Sequence, residues 1–77
     1  MDKLLEILKE IKSEVDFEKE TELVDKGILD SFDIISIISE VNERFDIEIE
    51  ADDIVPENFN SAIALYELIC RLSSNKG

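Results

Sequence analysis

The sequence predicts an all-α fold, a small bundle of three main helices plus one short helix, in a single domain that spans residues 1–77. Three segments carry apolar residues at helical spacing, and the isoleucine-rich segment does not alternate with polar residues as a half-buried strand would. A chain of 77 residues buries only about 60–65% of the surface of its unfolded form, which suits one small core.

The first predicted helix covers residues 2–15. Its apolar residues recur at helical spacing, with lysines and glutamates on the opposite side: Leu4, Leu8, Ile11 and Val15, flanked by Leu5 and Ile7. Residues 16–30 have no clear period and form a long connection. We expect a turn at Gly27. We also expect the apolar residues of the connection to attach it to the core: Phe17, Leu23, Val24, Ile28 and Leu29.

The second predicted helix runs from about Ser31 to Phe45. Its stripe at positions i, i+3, i+4, i+7 and i+11 is apolar throughout: Ile34, Ile37, Ile38, Val41 and Phe45. Isoleucine favours strands, but the period of this segment is helical. The pattern therefore predicts a helix.

The last third of the chain should hold one short helical turn near 51–54, a break at Pro56, and a final helix. Asn60 or Ser61 should cap this helix, which should end near Leu72. Its inward face is predicted to be Ala62, Leu65, Tyr66, Ile69 and Leu72. Cys70 lies among these apolar residues and is expected to be a small core residue.

The chain is strongly acidic, with a formal charge of −12. Residues 27–70 contain eleven aspartates and glutamates against one basic residue, Arg44, a formal charge of −10 for that stretch. Such a field repels nucleic acid and anionic membranes and attracts basic protein surfaces, although acidity also simply favours solubility. Because so acidic a surface repels its own copy, we expect a monomer.

Several kinds of chemistry are excluded by composition. Without histidine the chain has no Ser-His or Cys-His pair and no imidazole metal ligand, and its two glycines form no phosphate-binding loop. Enzymatic activity of the chain alone is therefore not expected. A single cysteine allows no intramolecular disulfide, and no apolar run approaches the roughly 20 residues of a membrane span. These features predict a cytoplasmic protein without membrane insertion.

The hexapeptide "GILDSF", residues 27–32, contains the main candidate site. Ser31 lies where a helix begins. Its hydroxyl either caps the helix or is an attachment point for a larger group. If that group were anionic, the unpaired N–H groups and the dipole of the helix end would favour it. At about 100° per residue, Phe32 lies about 160° and Ile35 about 100° from Ile34 in the core stripe. Both are thus expected at the surface as an apolar docking spot, unless the long connection covers them.

The sequence around this hexapeptide resembles the acyl carrier protein family, and the resemblance extends over nearly the whole chain. The family's Asp-Ser-Leu triplet at the start of the second helix corresponds here to Asp30-Ser31-Phe32. The end of that helix is similar too, with Phe45-Asp46 followed by Ile49, as is the "PENFNS" approach to the final helix.

The resemblance implies that a separate phosphopantetheinyl transferase attaches 4′-phosphopantetheine from coenzyme A to Ser31. The thiol of this arm would carry an acyl or aminoacyl group as a thioester, received from a loading ligase and passed on by acyl-transferring enzymes. Asp30 would assist recognition or metal-assisted transfer. The resemblance further implies that partner enzymes contact the surface of the second helix at Phe32, Asp33, Ile35, Ser39, Glu40 and Glu43.

Departures from the family pattern indicate a specialised member. Phe32 replaces the usual leucine, and Ser36, Asn42 and Arg44 leave the second helix with only three carboxylates. This favours a dedicated carrier loaded by its own adenylating ligase, as D-alanyl carrier proteins are, over a carrier of fatty-acid synthesis. Residues that could line an acyl pocket are not distinguishable from ordinary core: Ile34, Ile38, Ile54, Ala62 and Leu65.

Two alternatives remain at this point. The first is a calcium loop, whose ligand positions would be Asp46, Glu48, Glu50, Asp52 and Glu57. Ala51 stands where such a loop requires glycine, and Pro56 lies inside it, so a solvated acidic loop is favoured. The second alternative is an acidic helical interaction module in which Ser31 is never modified.

Overall fold

The computed structural model of the chain describes residues 1–76. Four α-helices and one 3₁₀ turn follow one another: α1 (Asp2–Ile11), α2 (Ser31–Phe45), the 3₁₀ turn (Ala51–Asp53), α3 (Pro56–Phe59) and α4 (Ala62–Lys76). No strand occurs among the described residues, so the predicted all-α bundle of three main helices and a short one is confirmed. None of the helices within residues 1–76 is both long and apolar enough to cross a membrane.

Helix α1 is shorter than the sequence predicts. It ends at Ile11, and the backbone of Lys12 leaves the helical conformation with φ −140° and ψ 85°. A turn follows, in which the N–H of Val15 donates to the carbonyl of Lys12. Val15 is half-buried as expected, but it reaches the core from this turn rather than from a helix.

The long connection between α1 and α2 is attached to the core as predicted, through the buried side chains of Phe17, Leu23 and Leu29. Gly27 supplies the expected turn, at φ 71°. Asn60 adds a second attachment, because its Oδ1 accepts hydrogen bonds from the N–H groups of residues 24 and 25 at 2.9 and 3.1 Å. Asn60 therefore holds the connection and is not the cap of the last helix.

Helix α2 has the predicted bounds, and its inward face is centred on Ile37 and Val41, which are completely buried. The other members of the stripe are half-buried against the core. At the end of the helix Asp46 adopts the left-handed conformation with φ 54°. The Oδ1 of Asn42 then accepts a hydrogen bond from the N–H of Ile49 at 2.9 Å, which directs the chain back along the core.

The C-terminal elements differ from the prediction in three respects. Pro56 begins α3 instead of breaking the chain, because proline is tolerated at the first position of a helix. Ser61, one of the two predicted caps, caps α4 through a 3.0 Å hydrogen bond from the N–H of Ala64, but the helix continues past the predicted end at Leu72 to Lys76. Cys70, expected in the core, is exposed, because the inward positions of that turn belong to the buried residues 68 and 69.

Candidate functional site

The cap of helix α2 is Asp30 and not Ser31. The Oδ1 of Asp30 accepts a hydrogen bond from the N–H of Asp33 at 2.9 Å, and the Oδ2 of Asp33 accepts one from the N–H of Asp30 at 3.2 Å. This reciprocal capping box satisfies two backbone donors at the start of the helix. Ser31 is the first residue inside the helix, so the alternative that its hydroxyl is the cap is wrong.

Ser31 is exposed, and within the described residues its hydroxyl makes no hydrogen bond. It lies at the end of α2 where backbone N–H groups lack helical partners and the helix dipole is positive. An accessible oxygen at such a position suits attachment of an anionic phosphodiester. Attachment of the prosthetic group at Ser31, which the family resemblance implies, stays a prediction.

Asp33 also holds α2 to the end of α1. Its Oδ2 lies 3.1 Å from the Nζ of Lys12, and its side chain is 15% exposed. Burial disfavours ionisation of this carboxyl, but the hydrogen bond from the N–H of Asp30 and the Lys12 ammonium outweigh it and hold the pKa of Asp33 below its usual value. The hydrogen bond that the Lys12 ammonium donates to Asp33 in turn raises the pKa of Lys12. Asp33, one of the expected partner contacts, is thus engaged inside the chain.

Two large apolar side chains lie at the surface next to Ser31. Phe32 is 81% exposed and Ile35 is 63% exposed, as the helical phase predicted, so the connection does not cover them. Ile35 borders a surface groove of about 510 Å³ between α1 and α2. The groove is lined by Glu10, Ile11, Ile35, Ser36, Ser39 and Glu40. An apolar contact area thus adjoins the candidate attachment site.

The acidic residues of α2 have unequal surroundings. Glu40 accepts a hydrogen bond from Arg44 Nε at 3.1 Å, and Arg44 Nη2 lies 3.2 Å from Glu10 Oε1 on α1. Glu43 is exposed and has no ion pair among the described residues. Spacing of four residues could have indicated the pair of Glu40 and Arg44. The contacts of Lys12 and Glu10, which join separate segments, have no local sequence signal.

The candidates for an acyl pocket separate into two groups. Ala62 and Leu65 are buried core residues. Ile34 and Ile54 line a hollow of about 180 Å³, together with Val24, Val55, Pro56 and Phe59. The hollow lies among the connection, α2 and α3 and is almost entirely apolar. Ile38 is half-buried against the core instead.

The carboxylates of the acidic segment 46–57 are not gathered into a cluster in the described structure. Among residues 1–76 no three or more aspartate, glutamate, cysteine or histidine side chains lie close enough together to hold a metal ion. Glu50 and Asp53 of this segment instead form a second capping box, at the 3₁₀ turn.

Comparison with known proteins gives consistent matches. Residues 2–69 match the family described as "Phosphopantetheine attachment site". The chain is also similar to the D-alanyl carrier proteins of Bacillus cereus (strain B4264) and Bacillus anthracis (strain CDC 684 / NRRL 3495). In each case 42% of residues are identical over 55 residues, which cover 68% of this chain and 68% of the relative.

Proposed function

Because this chain belongs to the phosphopantetheine attachment-site family and is a phosphopantetheine-bearing carrier protein, we propose that Ser31 bears the arm and that the cargo is D-alanine. When attached, the arm supplies a terminal thiol on which the cargo is carried as a thioester. The partners in this proposal are a phosphopantetheinyl transferase, an adenylating ligase that loads the cargo, and an enzyme that accepts it.

One observation carries the choice of Ser31, namely that its exposed hydroxyl has no part in capping α2. Since Asp30 caps α2, replacement of the hydroxyl hydrogen of Ser31 by a phosphopantetheinyl group would remove no hydrogen bond of the fold. Asp30 keeps its Oδ2 outside the hydrogen bonds of the capping box. That oxygen is available to a metal ion or to the transferase during attachment, which is the role proposed for this residue.

D-alanine as cargo is supported by similarity to the D-alanyl carrier proteins and by the apolar character of the hollow that Ile34 and Ile54 line. An aminoacyl group carries an ammonium, and burying an unpaired charge in an apolar hollow is unfavourable. The cargo would therefore stay outside, next to an acidic surface. A carrier of this kind is typically not a catalyst, and this one would act as a tether that raises the effective concentration of its cargo at each enzyme. The proposal places the protein in the cytoplasm, a reducing compartment that a single unpaired cysteine fits.

The attachment is tested by intact mass after incubation with coenzyme A, Mg²⁺ and a broad-specificity phosphopantetheinyl transferase. We expect a single phosphopantetheinyl increment on the wild type and on Ser36→Ala, a matched change of another exposed serine of α2, and none on Ser31→Ala. If several transferases leave the folded wild type unmodified, the chain is instead an acidic interaction module.

The cargo is tested on the modified protein with ATP, Mg²⁺ and a D-alanine-activating ligase. We expect a mass gain of one alanyl residue with D-alanine, reversed by hydroxylamine, and a much smaller gain with L-alanine. Loading by fatty-acyl ligases in preference to this one would contradict D-alanine as cargo while leaving the attachment at Ser31 intact.

A further inference from the structure

The docking face beside Ser31 is bordered by two cations from the same chain. Lys12 contacts Asp33 at 3.1 Å, near the start of α2. Arg44, in the last turn of α2, contacts Glu40 at 3.1 Å and Glu10 of α1 at 3.2 Å. Three carboxylates therefore face two cations across the seam between α1 and α2, a formal charge of only −1. These ion pairs offset part of the acidity of the chain along this seam.

Arg44 is placed to hold both of its carboxylates at once. Its guanidinium presents Nε to α2 and Nη2 to α1, and the fork of donors in arginine suits two acceptors better than the single ammonium of lysine does. Its backbone is also engaged, because Lys3 Nζ donates to the Arg44 carbonyl at 3.3 Å. Both glutamates that it binds line the groove next to Ile35. Arg44 is thus bonded to both glutamates that line this groove.

The ion pairs of Lys12 and Arg44 reduce the negative field that a partner protein meets on the surface of α2 beside Ser31. Carboxylates at a rim steer basic partners and make association salt-dependent. A carboxylate beside a fixed guanidinium contributes much less to that field, even where the pair itself is partly solvated and weak. Besides Ser31, the exposed residues of α2 that remain without an ion pair within residues 1–76 are the apolar Phe32 and Ile35, the neutral Ser36 and Ser39, and one carboxylate, Glu43.

We infer that Arg44 is a specificity-determining residue of this docking face. By binding Glu10 and Glu40 it withdraws them from partners, so that the face selects a partner with a complementary apolar patch over one that presents a row of basic side chains. The inference deepens the proposed carrier function and rests on it for the identity of the partners.

The charge effect is tested on the unmodified protein with an oligolysine peptide as a basic probe. Arg44→Gln frees two glutamates, whereas Arg71→Gln makes the same change in net charge on α4, where the exposed Arg71 has no ion pair among the described residues. We expect Arg44→Gln to bind the peptide about 2- to 5-fold more tightly than Arg71→Gln does, with new chemical-shift changes at Glu10 and Glu40 and a steeper salt dependence. Arg44→Lys should lie between Arg44→Gln and the wild type. Equal affinities of the two glutamine variants at every salt concentration would overturn the inference.

The consequence for partners is tested by the kinetics of phosphopantetheinyl transfer. We expect Ile35→Ser to lower kcat/KM, through KM, several-fold more than Glu40→Gln does, because Ile35 is 63% exposed and unpaired, whereas the Glu40 carboxylate is already bonded to Arg44. The opposite order would show that docking depends on charge and would overturn the inference. A wild type that no transferase modifies would refute the carrier function, and the peptide titration would then still decide the role of Arg44.

Discussion

The capping geometry of α2 predicts that two neighbouring substitutions differ strongly in their effect on stability. Asp30→Ala removes the oxygen that accepts from the N–H of Asp33, whereas the backbone N–H of residue 30 can still donate to the Asp33 carboxylate. Loss of an N-cap aspartate costs about 0.5–2 kcal/mol, and since this helix end is exposed, with water as a substitute acceptor, we expect about 1 kcal/mol. Ser31→Ala removes only an exposed hydroxyl without a hydrogen bond, so its effect should stay within about 0.5 kcal/mol.

Urea denaturation followed by circular dichroism measures both changes. In a domain of this size a loss of 1 kcal/mol lowers Tm by roughly 4–8 °C, so a thermal scan gives a second reading. Asp30→Asn is the matched control, because asparagine caps helices about as well as aspartate and should retain most of the stability. If Ser31→Ala destabilised the fold as much as Asp30→Ala, the serine would be the cap after all. Loss of modification in that variant would then no longer isolate the attachment.

The core, the connection and the ion pair give three further predictions. Ile37→Val, at a completely buried position, should lower the free energy of unfolding measured in urea by about 0.5–1.5 kcal/mol. Ile35→Val, on the exposed side, should lower it by less than about 0.5 kcal/mol. Equal losses in the two variants would contradict the assigned core. Asn60→Ala should speed hydrogen exchange of the backbone amides of Val24 and Asp25, which donate to the Asn60 side chain. Unchanged exchange of these two amides would show that other contacts hold the connection. Folding lowers the pKa of Asp33 and raises that of Lys12, so their coupling in a double-mutant cycle of Lys12→Met and Asp33→Asn should be constant around neutral pH. It should be lost as pH falls through the folded pKa of Asp33, or as pH rises through that of Lys12, and a coupling that survives strong acid would refute the assignment.

Periodicity predicted the elements of this fold better than it predicted their ends. The bounds of α2 could be read because Asp30 and Ser31, residue types that favour helix starts, precede an apolar stripe that runs at helical spacing from Ile34 to Phe45. The end of α1 could not be read, because Val15 continues the helical spacing of the apolar residues although it lies in a turn. A spacing rule registers only that an apolar side chain returns to the core, and a turn can achieve this as well as a helix can. Pro56 was misread for a similar reason, since proline both breaks a helix and begins one.

The candidate site was predictable wherever it depends on helical phase. The exposure of Phe32 and Ile35 followed from their angles relative to the core stripe. The partners of the charged residues did not follow, because an acidic chain offers each cation many carboxylates at similar sequence distances. Arg44 and Glu10, which are 34 residues apart, meet only because α1 and α2 pack side by side. Of the three carboxylates that the sequence assigned to partner contacts on α2, the fold pairs two internally and leaves Glu43 without an ion pair among the described residues.

The division of labour between Asp30 and Ser31 has a consequence for how such a carrier can work. If the attached residue were also the cap, the stability of α2 would change with every attachment, and the surface that partners contact would change with it. Here the capping box and the Lys12 ion pair fix the first turn of α2 through Asp30 and Asp33 alone. A group at Ser31 can therefore be added without loosening the turn that presents it. If Ser31 bears the arm, as proposed, loading of the carrier would leave the capping box of this first turn intact.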